Sequence, residues 1–291
     1  MILGCSGTQP GAEAEAEAEA EAEAEAEADP EADPASASAS ASPPGETEAE
    51  AEAEAEAESE FELRELRVAD PSHDTPARAP HAIAFGTRRA ERIVIFLHGW
   101  GGCARALALP DEVACFEDGP RRAGWNLTGI HAPRRDELLV VAQLGWLRRN
   151  GEPGRFAEAG FAARWLDALE LPALPITLVA HSAGFETALA ILQHGGSGER
   201  VERVVLFDAL YAGTEGFVDW VAARPNRRLL SYYTGSSATR RQNRRLRGLA
   251  ETRGLSVSEA IGDAQVISLH TTTRHGDVPI VHWGEALDAI R

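Results

Sequence analysis

What most restricts the fold of this chain is a set of short apolar runs that do not alternate. Ile93-Val94-Ile95-Phe96-Leu97, Leu138-Leu139-Val140-Val141, Ile176-Thr177-Leu178-Val179-Ala180 and Val204-Val205-Leu206-Phe207 are nearly continuous Val, Ile and Leu. A strand with one wet face would carry a polar residue at every second place, so these runs bury both faces. Eight strands are expected, at 61–68, 81–86, 92–97, 137–142, 176–180, 201–207, 228–233 and 265–270. Helical patterns fill 155–170, 184–194, 214–223, 237–251 and 284–291. Strand and helix in alternation build a mostly parallel sheet flanked by helices, an α/β fold. The first two strands follow one another with no helix between them and are expected as an antiparallel edge.

Only part of the chain can take part in this. Residues 1–60 contain no Lys or Arg and nineteen Asp or Glu, most of them in Glu-Ala alternations. The whole chain has 28 basic and 46 acidic residues, so 61–291 hold 28 against 27 and the net charge of −18 belongs to the tail. Glutamate at every second position sets like charges at i and i+4 with no apolar stripe for a partner to cover. Asp-Pro, Ala-Ser and Pro-Pro-Gly steps at 29–45 interrupt any helix. Residues 1–60 are therefore expected as a disordered acidic tether, and 61–291 as one domain large enough for a real core.

Met1-Ile2-Leu3-Gly4-Cys5 is similar to the end of a bacterial lipoprotein signal, an aliphatic-x-Gly-Cys box before the lipidated cysteine. The charged part and most of the apolar part of such a signal are missing. The resemblance implies lipidation at Cys5, membrane anchoring and a place in the cell envelope; without it the protein is expected in the cytoplasm. Cys103 and Cys115 are open to two readings: a disulfide bracing the loop between them if the chain is exported, or two small apolar residues if it is not. No Cys-x-x-Cys or His-x-x-x-His spacing calls for a metal, and no cofactor is expected.

Two motifs carry chemistry. Leu178-Val179-Ala180-His181-Ser182-Ala183-Gly184 sets a serine between a buried strand and a helix, with small residues two before and two after it. That is what a nucleophile on a sharp strand-to-helix turn needs, although a serine there would also serve as a helix N-cap. Eighty residues earlier, His98-Gly99-Trp100-Gly101-Gly102 ends another buried strand with a loop whose glycines allow close approach to a ligand. His98 itself reads as a structural residue that orients this loop.

Together with the strand order, these motifs resemble the alpha/beta-hydrolase fold, over essentially all of 61–291. The resemblance implies that Ser182 is the nucleophile and that the amides of Ala183 and Trp100 form the oxyanion hole. It implies a carboxylate after the seventh strand in most members and after the sixth in some. Here the seventh strand runs into Thr-Gly-Ser-Ser-Ala-Thr, without a carboxylate, whereas the sixth ends at Asp208; Asp263 and Asp277 are weaker alternatives. Asp208 would also suit as a cap for the helix near 214. A histidine should follow the last strand, and His275 is expected over His282 and His270. Alanine at 180, where most members carry glycine, is a departure that costs one methyl group.

The function expected is that of a serine hydrolase cleaving a carboxylic ester. The alternatives are a peptidase or amidase acting on cell-envelope material, or a catalytically silent binding lipoprotein. The partner expected is a small ester or short peptide, with no nucleic acid, and the protein is expected to be a monomer. Arg240, Arg241, Arg244, Arg245 and Arg247 read as a solvated helix face or a partner for the acidic tail. The stretch 100–135 is the one segment long enough to cap the site.

Overall fold

The structure is a computed structural model that describes residues 62–67, 79–87, 89–145, 152–194, 196 and 199–291. The acidic tether and Cys5 lie outside the described residues. No helix among the described residues is long and apolar enough to cross a membrane.

The elements in chain order are β1 (Glu62–Leu66), β2 (Ala82–Gly86), β3 (Arg92–Leu97), α1 (Ala104–Ala108), β4 (Val113–Ala114), β5 (Arg121–Arg122) and α2 (Leu127–His131). They continue with β6 (Glu137–Ala142), α3 (Phe161–Ala168), β7 (Ile176–His181), α4 (Gly184–His194), β8 (Val201–Phe207) and α5 (Thr214–Ala222). The chain closes with β9 (Arg228–Tyr233), α6 (Ser237–Thr252), β10 (Val257–Ser258), β11 (Val266–His270) and α7 (Val278–Ala289). The main sheet runs in the order β1-β2-β6-β3-β7-β8-β9-β11-β10. β1 and β2 pair antiparallel, as do β2 and β6, and every other neighbour in this sheet is parallel.

All eight expected strands are present, and the sheet has a ninth. Val257–Ser258 adds two residues in parallel to the β11 edge, too short a run to leave a pattern in the sequence. The helix expected over 155–170 is a 3₁₀ turn at Gly154–Ala157 followed by α3; Gly160, at φ +70°, separates them. The last helix begins earlier than expected, at Val278, because Pro279 stands in its first turn, where a missing N–H is harmless.

The continuous apolar runs divide cleanly between the two faces of the sheet. Ile93, Ile95 and Leu97 join the core under α3, α4 and α5, with Leu178, Leu206 and Leu229. Val94 and Phe96 point the other way, to the core under α1 and α7, with Val179, Phe207, Leu230 and Trp283. Period-two side-chain direction thus turns one apolar string into two cores.

Strand register decides where the site lies. Leu97 is opposite Ala180, His181 opposite Phe207, Phe207 opposite Tyr232, and Tyr233 opposite His270. Five parallel strands therefore end almost level, and the residues that follow them emerge along one edge. Ligands of open parallel sheets bind outside such carboxyl ends.

Candidate active site

Ser182 follows the last residue of β7 and has φ +52°, a left-handed conformation that few non-glycine residues adopt. Backbone strain of this kind persists only where the surroundings enforce it. Here a β-strand must become a helix within two residues, because α4 begins at Gly184. The turn is closed tightly on the β3 loop. A Cβ on Gly184 would overlap the Leu97 carbonyl oxygen, and a Cβ on Gly99 would lie 2.5 Å from Ser182 Cβ and 3.1 Å from its Oγ. Glycine is thus required at both places by close approach, and the glycine loop lies directly against the serine.

The same loop is fixed from behind by β6. His98 is buried; its Nε2 accepts the Leu144 N–H at 3.1 Å, so its Nδ1–H donates to the Gly99 carbonyl at 2.9 Å. Burial holds its pKa down at about 4, so it stays neutral and keeps this tautomer. Gln143 Oε1 accepts the Ala104 N–H at 2.9 Å. The amides of Trp100 and Ala183 have no acceptor among the described residues, and they flank the serine, one on the Gly99 side and one at the start of α4.

Asp208 follows β8, also with positive φ, +43°. Its side chain is 1% exposed, and all its partners are in place. Oδ1 accepts the Thr234 N–H at 3.0 Å; Oδ2 accepts the Thr234 hydroxyl at 2.8 Å and His275 Nδ1–H at 2.7 Å. Burial alone would push this carboxyl up, but the hydrogen bonds from His275 and Thr234 and the imidazole charge outweigh it and hold the pKa below the usual carboxylate value. Asp208 is accordingly an anion with its bonds filled, not a helix cap.

His275 opens a 3₁₀ turn, His275–Asp277, immediately before α7. With Nδ1–H committed to Asp208, the other ring nitrogen, Nε2, is left as a proton acceptor. The residue before the serine contributes a second hold. His181 Nε2–H donates to the His275 carbonyl at 3.0 Å, and the two rings lie 4.6 Å apart. Burial, then the nearby His275, keeps His181 neutral, with a pKa of about 3. Trp125 packs on His181 at 5.3 Å, and Tyr211 stands edge-on to His275 at 6.5 Å.

The structure thus joins Asp208 and His275 directly and brings Ser182, Ala183 and Trp100 to the same edge. His282 goes elsewhere: Nε2 meets the Thr271 and Thr273 hydroxyls at 3.0 Å, and the ring stacks on Tyr232. His270 lies against Tyr233. Two residues with no expected role, Thr234 and His181, hold Asp208 and His275. Thr234 follows β9, the strand after which the resemblance implied a carboxylate, and it holds Asp208 through two hydrogen bonds.

The segment 100–135 is α1, the β4–β5 hairpin and α2. Cys103 and Cys115 are disulfide-bonded within it, with Cα atoms 5.9 Å apart. It lines an open cavity of about 420 Å³ with the His98–Gly102 loop and His181. No group of three His, Cys, Asp or Glu among the described residues could hold a metal ion. On α6, Arg245 pairs with Glu215 and Arg247 with Glu259, while Arg240, Arg241 and Arg244 face solvent.

No protein-family model matches the sequence, and no curated protein does. Solved structures do. A ferulic acid esterase is similar with a TM-score of 0.51 and 9% identity, over 72% of this chain and 90% of its own. MPT51 of Mycobacterium tuberculosis gives 0.47 and 10%, over 79% and 99%. Esterase B from Lactobacillus rhamnosis gives 0.41 and 12%, over 95% and 92%. The first carries the comparison, and at such identity it speaks for the architecture and not for the reaction. A mostly parallel sheet with helices on both faces, a strained serine turn after β7 and an antiparallel leading edge give this chain the alpha/beta-hydrolase fold.

Proposed function

We propose that the protein is a serine hydrolase that cleaves a carboxylic ester through an acyl-enzyme on Ser182. His275 Nε2 takes the hydroxyl proton as Ser182 Oγ attacks the carbonyl carbon. Negative charge then gathers on the carbonyl oxygen, where the Ala183 and Trp100 amides receive it. The imidazolium returns the proton to the departing alkoxide, the C–O bond breaks, and water repeats the sequence to release the acid. Asp208 holds the imidazole in the tautomer that leaves Nε2 free and offsets its transient charge.

The observation that carries this reading is the 2.7 Å bond from His275 Nδ1 to a buried, fully satisfied Asp208 at the sheet edge where the Ser182 turn emerges. A structural ion pair would not need a strained serine and unengaged amides beside it. A fluorophosphonate probe tests it: the wild-type protein is labelled and Ser182→Ala is not. No labelling of the native protein would leave the silent binding reading in its place, and labelling of Ser182→Ala would move the nucleophile away from Ser182. Ester and peptide panels then separate an esterase from a peptidase or amidase.

Export is supported by the Cys103–Cys115 bond, since disulfides persist in oxidising compartments. With it goes anchoring through Cys5. Fatty-acid labelling of the native chain, lost in Cys5→Ser, is the expected result; no labelling of the native chain removes the anchor.

A further inference from the structure

The cavity beside Ser182 contains one feature that ester cleavage does not require. Its walls are mostly apolar or glycine: Gly99, which touches the serine, then Trp100, Leu107 and Trp125. Trp100 is 61% exposed, so its indole is open to a ligand lying along this wall. Among these walls stands Arg122. The two histidines that share the lining are held neutral by burial, so Arg122 is the charged member of the set.

Its neighbours are ion-paired, and among the described residues it is not. Arg121 meets Glu112 at 3.3 Å and Arg105 meets Glu65 at 2.8 Å, whereas no carboxylate among the described residues lies within ion-pair distance of Arg122. Its guanidinium reaches back over the glycine loop: a Cβ on Gly101 would lie 3.9 Å from Arg122 Nη1. Gly101 and Gly99 are two residues apart, at most about 7 Å of chain, so the cation stands over the same short loop whose Gly99 lies against the serine.

The support for Arg122 is built as well. Val113 pairs with Arg122 in the β4–β5 ladder, and the Cys115 N–H donates to the Pro120 carbonyl at 3.1 Å across the hairpin. The disulfide ties Cys115 to Cys103, at the end of the glycine loop. Just beyond the hairpin, the Trp125 N–H donates to the Ala106 carbonyl at 2.9 Å. The hairpin that carries the cation is therefore fastened to the loop that offers the Trp100 amide.

We propose that Arg122 binds a carboxylate on the acyl part of the substrate, so that this site takes esters whose acyl chain is apolar near the scissile bond and anionic at its far end. The planar guanidinium offers two parallel N–H donors to a carboxylate. The stretch between lies on Trp100 and Trp125. This assignment rests on the serine-hydrolase reading, and its test must fail separately from that reading.

The test compares mono-4-nitrophenyl adipate and suberate with 4-nitrophenyl hexanoate and octanoate, equal in chain length and differing in the terminal carboxylate. The native protein should favour the anionic ester by tenfold or more in kcat/KM, less so at high salt. Arg122→Gln should reduce that ratio at least tenfold and Arg122→Lys should keep part of it, with fluorophosphonate labelling of each variant reporting a folded site. A ratio near one in the native protein, or one unchanged in Arg122→Gln, overturns the assignment while leaving the hydrolase reading intact. If the probe labels nothing and no ester turns over, calorimetric titration with 6-phenylhexanoate decides it. Binding lost in Arg122→Gln supports the carboxylate site, and no binding to the native protein rejects it.

Discussion

Two substitutions at Asp208 separate its chemical role from its structural one. In Asp208→Asn the side-chain oxygen keeps the Thr234 N–H, and the amide NH₂ takes the place of Oδ2. The Thr234 hydroxyl can turn and accept from that NH₂. The imidazole cannot adapt without consequence: facing a donor, His275 must present an unprotonated Nδ1, which moves its proton to Nε2, the position that has to accept the serine proton. On the proposed mechanism turnover should fall about 10⁴-fold, as expected when the histidine that must accept the serine proton is held in the wrong tautomer. Stability should change little, by about 1–2 kcal/mol, since the charge-assisted bonds become neutral ones and asparagine tolerates positive φ. Asp208→Ala should lose a similar factor in rate, but it also strands the buried Thr234 N–H and hydroxyl, about 1–3 kcal/mol each, and puts alanine at φ +43°. Its total loss should be about 3–5 kcal/mol. Urea denaturation gives the stabilities, and pre-steady-state kinetics with a chromogenic ester gives the acylation rates. An Asp208→Asn protein acylating within tenfold of wild type would refute the tautomer argument, and equal stability of the two variants would refute the account of Thr234.

Three further outcomes follow from the same geometry. His98, His131 and His181 are all lowered by burial, to about 4, about 4 and about 3. Between pH 6.5 and these values the unfolded chain binds protons that the native one refuses, so stability should fall on acidification, by about 1.4 kcal/mol per pH unit for each. Asp208, with its pKa depressed, stabilises the fold above the ordinary carboxylate value and loses this as pH falls through its folded value. Urea midpoints that stay flat from pH 7 to pH 4 would contradict this. Removing the Cys103–Cys115 bond by a double serine substitution should cost about 3 kcal/mol, the chain-entropy value for a loop of this length, and an unchanged urea midpoint would contradict it. Gly99→Ala should abolish fluorophosphonate labelling, because its methyl carbon would lie 2.5 Å from Ser182 Cβ; labelling at the native rate would show that the loop can move aside.

Much of this was readable beforehand for physical reasons that also mark where reading stops. β3, β6, β7 and β8 are buried on both faces, and burial on both faces writes itself into sequence as unbroken Val, Ile and Leu. Asp208 stood out because a carboxylate after four apolar residues must have a partner. By contrast α1 and α2 have five residues each and β10 has two, less than two turns of a helix or a visible alternation. The last helix, expected from residue 284, starts at Val278 with Pro279 in its first turn. Thr234 acts through two hydrogen bonds and His181 through one, across 26 and 94 residues of chain, and no local pattern encodes so distant a partner. Arg122 was invisible for the same reason: its neighbours are set by a hairpin only two residues wide.

Asp208 stands on the strand adjacent to the one bearing Ser182. Their separation is thus governed by a single ladder of main-chain bonds, and on the proposed mechanism nothing beyond Thr234 has to carry an acid. On that mechanism the stretch from Arg253 to Gln265, which carries β10 at the end of the main sheet, takes no part in the chemistry. Lengthening the polypeptide there would let a new lobe grow without disturbing proton transfer, which makes it the natural place to engraft altered selectivity.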